Sequence, residues 1–204
     1  MKKIVIALTL VAAVIPSAMA QKQLPEPDKS LNVSLMDALQ MRRSTRSFDA
    51  SHDVTDQQLS QILWAACGIN NAEKKLLTTP TAMNSQDISV YVCTKNGVSL
   101  YEPLTNTLKE VTKTDIRALL AGRQESVKSA PVFLLLASDT AKFPRHGEHW
   151  GAVDAGYVSQ DIYLMCAALG LKTVARGIME QTDVAKILGL PESVILELNH
   201  PIGY

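Results

Sequence analysis

Apolar residues recur at helical spacing in five stretches of the chain, and alternate or run unbroken in several others. Ser34 and Asp37 form a candidate N-terminal cap, after which Leu35, Ala38, Leu39 and Met41 mark a short helix. Thr55 with Gln58 makes a second cap, and Leu59, Ile62, Leu63 and Ala66 continue at helical spacing until Gly68. Asp87 to Cys93 alternates as a strand. Asn96-Gly97 is a hairpin signal, and Val98 to Tyr101 and Thr105 to Val111 follow as a meander. Asp115 to Leu120 reads as a helix ended by Gly122. Pro131 to Ala137 is apolar without a break, the pattern of a strand buried on both faces and so the expected centre of the sheet. Gly151 to Leu169 is the longest helical pattern, apolar on more than one face and closed by Gly170, which predicts a central helix. A short strand over Leu171 to Ala175, a helix from Thr182 through Leu188 and a strand over Val194 to Leu198 complete the chain. Helices and strands mix without strict alternation. That order predicts an α+β fold on a mainly antiparallel sheet, in preference to a doubly wound one.

The flanks follow a different logic. Residues 1–20 open with Lys2 and Lys3, run apolar from Ile4 to Ile15 and close with Ser17-Ala18-Met19-Ala20, the layout of a cleavable secretory signal. The apolar run falls short of the roughly 20 residues that span a bilayer, so an exported protein, periplasmic or secreted, with no membrane anchor is expected. Residues 21–33 carry Pro25 and Pro27 without periodicity and read as an extended arm. Regular structure is expected from Ser34, with 34–204 forming one domain, as suits a chain of 204 residues.

Composition narrows the chemistry. With 20 basic and 20 acidic side chains there is no global field to draw in nucleic acid, and an anion must be caught by a local cluster. Cys67, Cys93 and Cys166 each sit in an apolar run and read as core thiols. Their odd number and the absence of CxxC spacing argue against a disulfide framework or a zinc site, while leaving room for one pair. His146 and His149 lack a third ligand nearby, and no metal is expected.

Three segments could carry chemistry. Arg42-Arg43-Ser44-Thr45-Arg46 packs three guanidinium groups and two hydroxyls into five residues, suited to phosphate because the guanidinium fork donates paired charge-assisted bonds. Alone it reads equally as a solvated basic segment at a helix end. Thr79-Pro80-Thr81-Ala82-Met83-Asn84-Ser85-Gln86 is a polar loop ahead of a strand with groups able to bond a heterocycle's edge; by itself it reads as a turn, since turns are commonly built from these residues. Thr173-Val174-Ala175-Arg176-Gly177 ends a strand in a glycine that lets backbone N–H groups approach a ligand.

Taken in order, these segments resemble the nitroreductase family of flavoproteins along nearly the whole chain from Leu35 to Tyr204. The family's basic signature, Arg then Arg or His, Ser, any residue, a basic residue, any residue and an aromatic, is matched by Arg42 to Phe48. Its Pro, Ser or Thr, x, x, Asn, x, Gln loop is matched by Pro80 to Gln86. Its Asp-x-Gly central helix and Ala-x-x-Leu-Gly-Leu ending are matched by Asp154-Ala155-Gly156 through Leu171, and its closing strand by Pro201-Ile202-Gly203-Tyr204. The resemblance implies a nitroreductase-like α+β homodimer that binds FMN, with two sites built across the subunit interface. It places Arg42 and Ser44 at the phosphate and ribityl end, Arg43 mainly through its backbone, and Arg46 at the N1/O2 edge of the ring. It brings Pro80, Thr81, Ala82, Met83 and Asn84 from the partner subunit over the flavin, and sets Ala175, Arg176 and Gly177 near N5. Many members continue past the closing strand into a basic tail; the sequence ends at Tyr204, so the phosphate is expected to lean on Arg42 and its neighbours.

The activity implied is hydride transfer through flavin N5 to or from a small organic substrate, with no protein nucleophile and no assigned catalytic residue. The donor is left open between NAD(P)H and another redox partner, since export removes the chain from cytoplasmic nicotinamides and no Gly-x-Gly-x-x-Gly fingerprint occurs. The segments Leu63 to Gly68 and Val98 to Pro103 also resemble the SagB-type azoline dehydrogenase branch, implying thiazoline or oxazoline oxidation on a peptide as an alternative. A non-catalytic flavin-binding carrier or scaffold dimer is the alternative of another class.

Overall fold

The computed structural model describes residues 20–204, so the secretory signal expected over residues 1–20 lies, apart from Ala20, outside the described residues. The strands are β1 (Gln21–Gln23), β2 (Ile69–Asn71), β3 (Leu76–Leu77), β4 (Ile88–Thr94), β5 (Gly97–Glu102), β6 (Thr107–Thr112), β7 (Val132–Asp139), β8 (Lys172–Thr173) and β9 (Val194–Gly203). Seven of them form one sheet in the order β1-β6-β5-β4-β7-β9-β8, and β2 with β3 makes a separate small hairpin. Every pairing in the large sheet is antiparallel. The helices are α1 (Leu35–Met41), α2 (Asp56–Cys67), α3 (Arg117–Ala121), α4 (Gly147–Ala168) and α5 (Gln181–Leu188).

The expected centre of the sheet is β7, paired on one side with β4 and on the other with β9. Its period of two feeds two cores. Leu134 and Leu136 pack with Val90 and Val92 against α2 and α4, through Ile62, Leu63, Ala155, Val158 and Ile162. Phe133, Leu135 and Ala137 pack with Tyr91 and Cys93 against Leu120 of α3 and Val184 and Leu188 of α5. The Thr55 cap forms as a reciprocal box, with the Gln58 N–H donating to Thr55 Oγ1 at 3.2 Å and the Thr55 N–H to Gln58 Oε1 at 3.0 Å. Among the described residues no helix is long and apolar enough to cross a membrane.

Several boundaries depart from the sequence pattern. Order begins at Gln21, ahead of Ser34: the arm pairs as β1 along β6, Leu24 is buried and the Pro25 carbonyl accepts from Ser60 Oγ. An edge strand leaves N–H and C=O groups that a polar arm can satisfy, whatever its periodicity. Helix α4 starts at Gly147, four residues before Gly151, and α5 starts after Glu180 with no side-chain cap, where Thr182 was expected to cap it. Strand β9 runs on through Asn199, His200 and Pro201 to Gly203, since the ladder with β7 continues to Ile202. All three cysteines are buried and free, and burial pushes the Cys67 thiol up to about 12.

Candidate functional site

Helix α1 ends as the Arg42 N–H donates to the Ala38 carbonyl and the backbone turns extended. The chain then runs beside β8, where Ser44 bridges Thr173 and the Thr45 N–H donates to the Thr173 carbonyl at 2.9 Å. Arg43 folds back, its Nη1 donating to the Gln40 and Arg42 carbonyls at 2.7 and 2.8 Å. Arg42 lies over the ring of Tyr163, 5.0 Å from its centroid. Arg46 is exposed and makes no hydrogen bond or ion pair among the described residues.

Tyr163 joins this segment to the one after β8. Its hydroxyl is 2.9 Å from Ser44 Oγ and accepts the Ala175 N–H at 2.8 Å. Behind the ring stands His200, edge-on at 5.3 Å and held between Ser159 Oγ and Thr173 Oγ1. Full burial pulls the His200 pKa down to about 3, so the imidazole is neutral.

Arg176 is spent internally. Its guanidinium donates to the Leu120 and Ala121 carbonyls, to Gln124 Oε1 and to Asn199 Oδ1, closing the end of α3. Its N–H donates to the Asn199 carbonyl at 2.9 Å. Burial and then the charge of nearby Arg46 lower its pKa. The two like charges repel, and an anion bound near Arg46 would relieve that repulsion. The Ala175 and Arg176 amides are taken, whereas the N–H of exposed Gly177 has no partner among the described residues.

The loop over Pro80–Gln86 is held elsewhere. Met83, Asn84 and Gln86 take positive φ of 55°, 54° and 48°. Thr79 Oγ1 donates to the Ala66 carbonyl, the Gln86 N–H to Thr81 Oγ1, and the Ala82 N–H to both oxygens of Asp154 at 3.0 and 2.9 Å. Pro80, Met83 and Asn84 are exposed, and Thr81 and Ala82 half-buried. Under the loop lies an acidic cluster. Burial, then the hydrogen bond and charge of Asp87, push the Asp154 carboxyl up to about 6, against the lowering pull of Ala82. Asp87 accepts from Ser85 Oγ at 3.0 Å and Ser138 Oγ at 2.6 Å, and Glu197 Oε1 is buried without a partner.

The candidate residues therefore form two groups. Arg42 to Arg46 and Ala175 to Gly177 come together at Tyr163; Pro80 to Asn84 sit at Asp154. Tyr163 and Asp154 lie nine residues apart on α4 (163 minus 154). That is two and a half turns, about 13 Å of rise and roughly opposite sides of the helix. Tyr163, Asp87 and His200 escaped the sequence reading. Nothing local marks a tyrosine between Ile162 and Leu164 as a polar hub.

The sequence profile described as "Nitroreductase family" matches residues 39–204. The chain belongs to the nitroreductase family. It is 29% identical over 194 residues to a curated protein of Methanocaldococcus jannaschii that carries a nitroreductase name, covering 89% of this chain and 94% of that protein. A solved structure from Ralstonia eutropha with a nitroreductase name superposes with a TM-score of 0.84 at 31% identity, covering 97% of this chain and 95% of the other. A chain of the Escherichia coli microcin synthetase complex shares the fold, with a TM-score of 0.72 at 17% identity over 99% of this chain and 84% of its own. Membership in the nitroreductase family supports an oxidoreductase, and members of that family generally bind flavin. The residues fit such a group: a guanidinium, a glycine amide without a partner among the described residues and an exposed serine hydroxyl suit an anionic phosphate and a planar ring with acceptor edges. Among the described residues no His, Cys, Asp and Glu cluster suits a metal.

Proposed function

We propose that the chain is an FMN-dependent oxidoreductase exchanging hydride with a small organic substrate, at a site that two copies build together. The exposed Arg46, without a partner among the described residues and close enough for its charge to act on Arg176, together with Ser44 held at Tyr163, carries this reading. Bound FMN would supply hydride exchange at its N5 atom. Arg42 and Ser44 would hold the phosphate and ribityl end. Arg43, its guanidinium returned to α1, would serve through its backbone. Arg46 would face the N1/O2 edge, where a fixed positive charge favours the reduced form. Gly177 would offer its N–H toward N5, a role closed to the amides of Ala175 and Arg176.

Pro80, Thr81, Ala82, Met83 and Asn84 would come from a second copy, since one chain holds them across α4 from the basic cluster. An apolar face supports the dimer: Leu35, Met36 and Leu39, on one side of α1, are exposed, Met36 by 72%. Residues 1–20 support export, which favours a redox partner other than cytoplasmic NAD(P)H as donor. A second reading, azoline oxidation in a peptide, is favoured by the fold shared with microcin synthetase, whose structure holds a truncated pro-MccB17.

The test is optical. Purified protein should be yellow, release FMN on denaturation, and bleach when reduced without oxygen and recover with a nitroaromatic acceptor. Colourless protein that stays so in excess FMN overturns the reading. Turnover of a thiazoline peptide without turnover of nitroaromatics selects the second one.

A further inference from the structure

The hydrogen bonds at Tyr163 have a direction. The Ala175 N–H donates to the phenolic oxygen at 2.8 Å, and the oxygen's other partner is Ser44 Oγ at 2.9 Å. A phenol has one proton to give, and an amide nitrogen cannot accept it. Ser44 Oγ is thus the acceptor, and the chain of donors runs from Ala175 N–H to Tyr163 O–H to Ser44 O–H. The opposite direction would leave the phenolic proton without an acceptor among the described residues, on an oxygen already receiving the amide.

With one lone pair of its oxygen taken by Tyr163, exposed Ser44 still has its own proton to place, and no acceptor for that proton is present among the described residues. The same ring carries the Arg42 guanidinium 5.0 Å from its centroid. On the far side His200 blocks it, bonded to Ser159 and Thr173. One side chain therefore aims a hydroxyl donor and a cation together. A phosphate oxygen, which only accepts, satisfies both; a terminal alcohol brings a proton of its own and no charge.

We propose that Tyr163 is a positioning residue that locks Ser44 as an outward donor and so gives the site its preference for phosphorylated over unphosphorylated flavin. This rests on the flavin reading above, and the experiment separates the two. The full chain, freed of flavin by dialysis, is titrated calorimetrically with FMN and with riboflavin as wild type, Tyr163→Phe, Ser44→Ala and the double variant. Phenylalanine keeps the ring under Arg42 and against His200 and removes only the hydroxyl. Tyr163→Phe should weaken FMN binding about tenfold, the scale of one charge-assisted hydrogen bond, and leave riboflavin binding within about twofold. The double variant should bind FMN no more weakly than Ser44→Ala alone.

Equal losses for both flavins, or an unchanged FMN affinity, overturn the proposal. If Tyr163→Phe fails to fold, Ser44→Ala decides: it must lose FMN selectively, and affinities for both flavins unchanged from wild type refute the lock. Wild-type protein that binds neither flavin overturns the functional reading itself, and this one with it.

Discussion

Arg46 and Arg176 bring the same group to opposite uses. Arg176 commits its Nε, Nη1 and Nη2 to carbonyl and amide oxygens, while Arg46 has no partner among the described residues. Arg46→Ala is expected to lower the flavin's midpoint potential, read by anaerobic redox titration, more than it weakens binding. Arg42→Ala is expected to weaken FMN binding about tenfold at nearly unchanged potential. Equal effects of the two on both measures would refute this division.

Asp154 makes a second residue-scale prediction. Burial lifts its folded pKa to about 6, above the usual carboxylate value of 3.8. The native state therefore binds the extra proton between these values, and the stability linked to it is complete below about pH 4 and lost as pH rises through 6. The Asp87 charge helps to raise Asp154 and, after burial, Glu197 as well. Asp154→Asn keeps an acceptor for the Ala82 N–H without the charge. Its denaturation free energy should be flatter from pH 4 to 7 and higher at pH 7 by about 1–2 kcal/mol. Parallel profiles for variant and wild type would sink the assignment. His200 works with the opposite sign: held neutral, it costs stability as pH falls below 6.5.

At the scale of elements, α4 carries both halves of the candidate site, and Gly151 sets how close it lies to the sheet. A Cβ there would run into the Ser138 side chain and come 3.3 Å from Glu197 Oε1. In an open helix, alanine for glycine stabilises by roughly 1 kcal/mol. Overpacking costs about 1–3 kcal/mol and should win here. Gly151→Ala is expected to lower the urea midpoint and loosen the loop that Asp154 holds, read as faster amide exchange at Ala82. A raised midpoint would show that helix propensity prevails. Much of this level was legible in the sequence. The Ser34 and Thr55 caps and the Gly122 and Gly170 stops are bonds between near neighbours, and Pro131 to Ala137 displayed a strand covered on both faces. The edge pairing of Gln21–Gln23 and the run of β9 through Pro201 were not legible, because ladder bonds to a distant strand leave no mark in local periodicity.

At the scale of the whole molecule, the separation of the two residue groups across α4 predicts that assembly and cofactor retention are one property. Met36→Glu places a charge on an exposed apolar face without disturbing the buried cores. In sedimentation the wild type should be a dimer holding flavin, and the variant a monomer that has lost it. A monomer that retains flavin would refute the shared site.

The ordering of basic segment, polar loop, central helix and closing strand, together with the alternating and helical periods, determined the family, the antiparallel sheet and the residues that could meet an anion. Those properties lie in short-range pattern and in residue type, which the chain carries before it folds. The tertiary structure alone decided that Arg176 closes a helix while Arg46 has no partner among the described residues, that Tyr163 directs Ser44, and that the Asp87 charge acts on Asp154 and Glu197. Each of these depends on which side chains, tens of residues apart, come within hydrogen-bond reach. Distance and direction of that kind exist only once the sheet and α4 have packed.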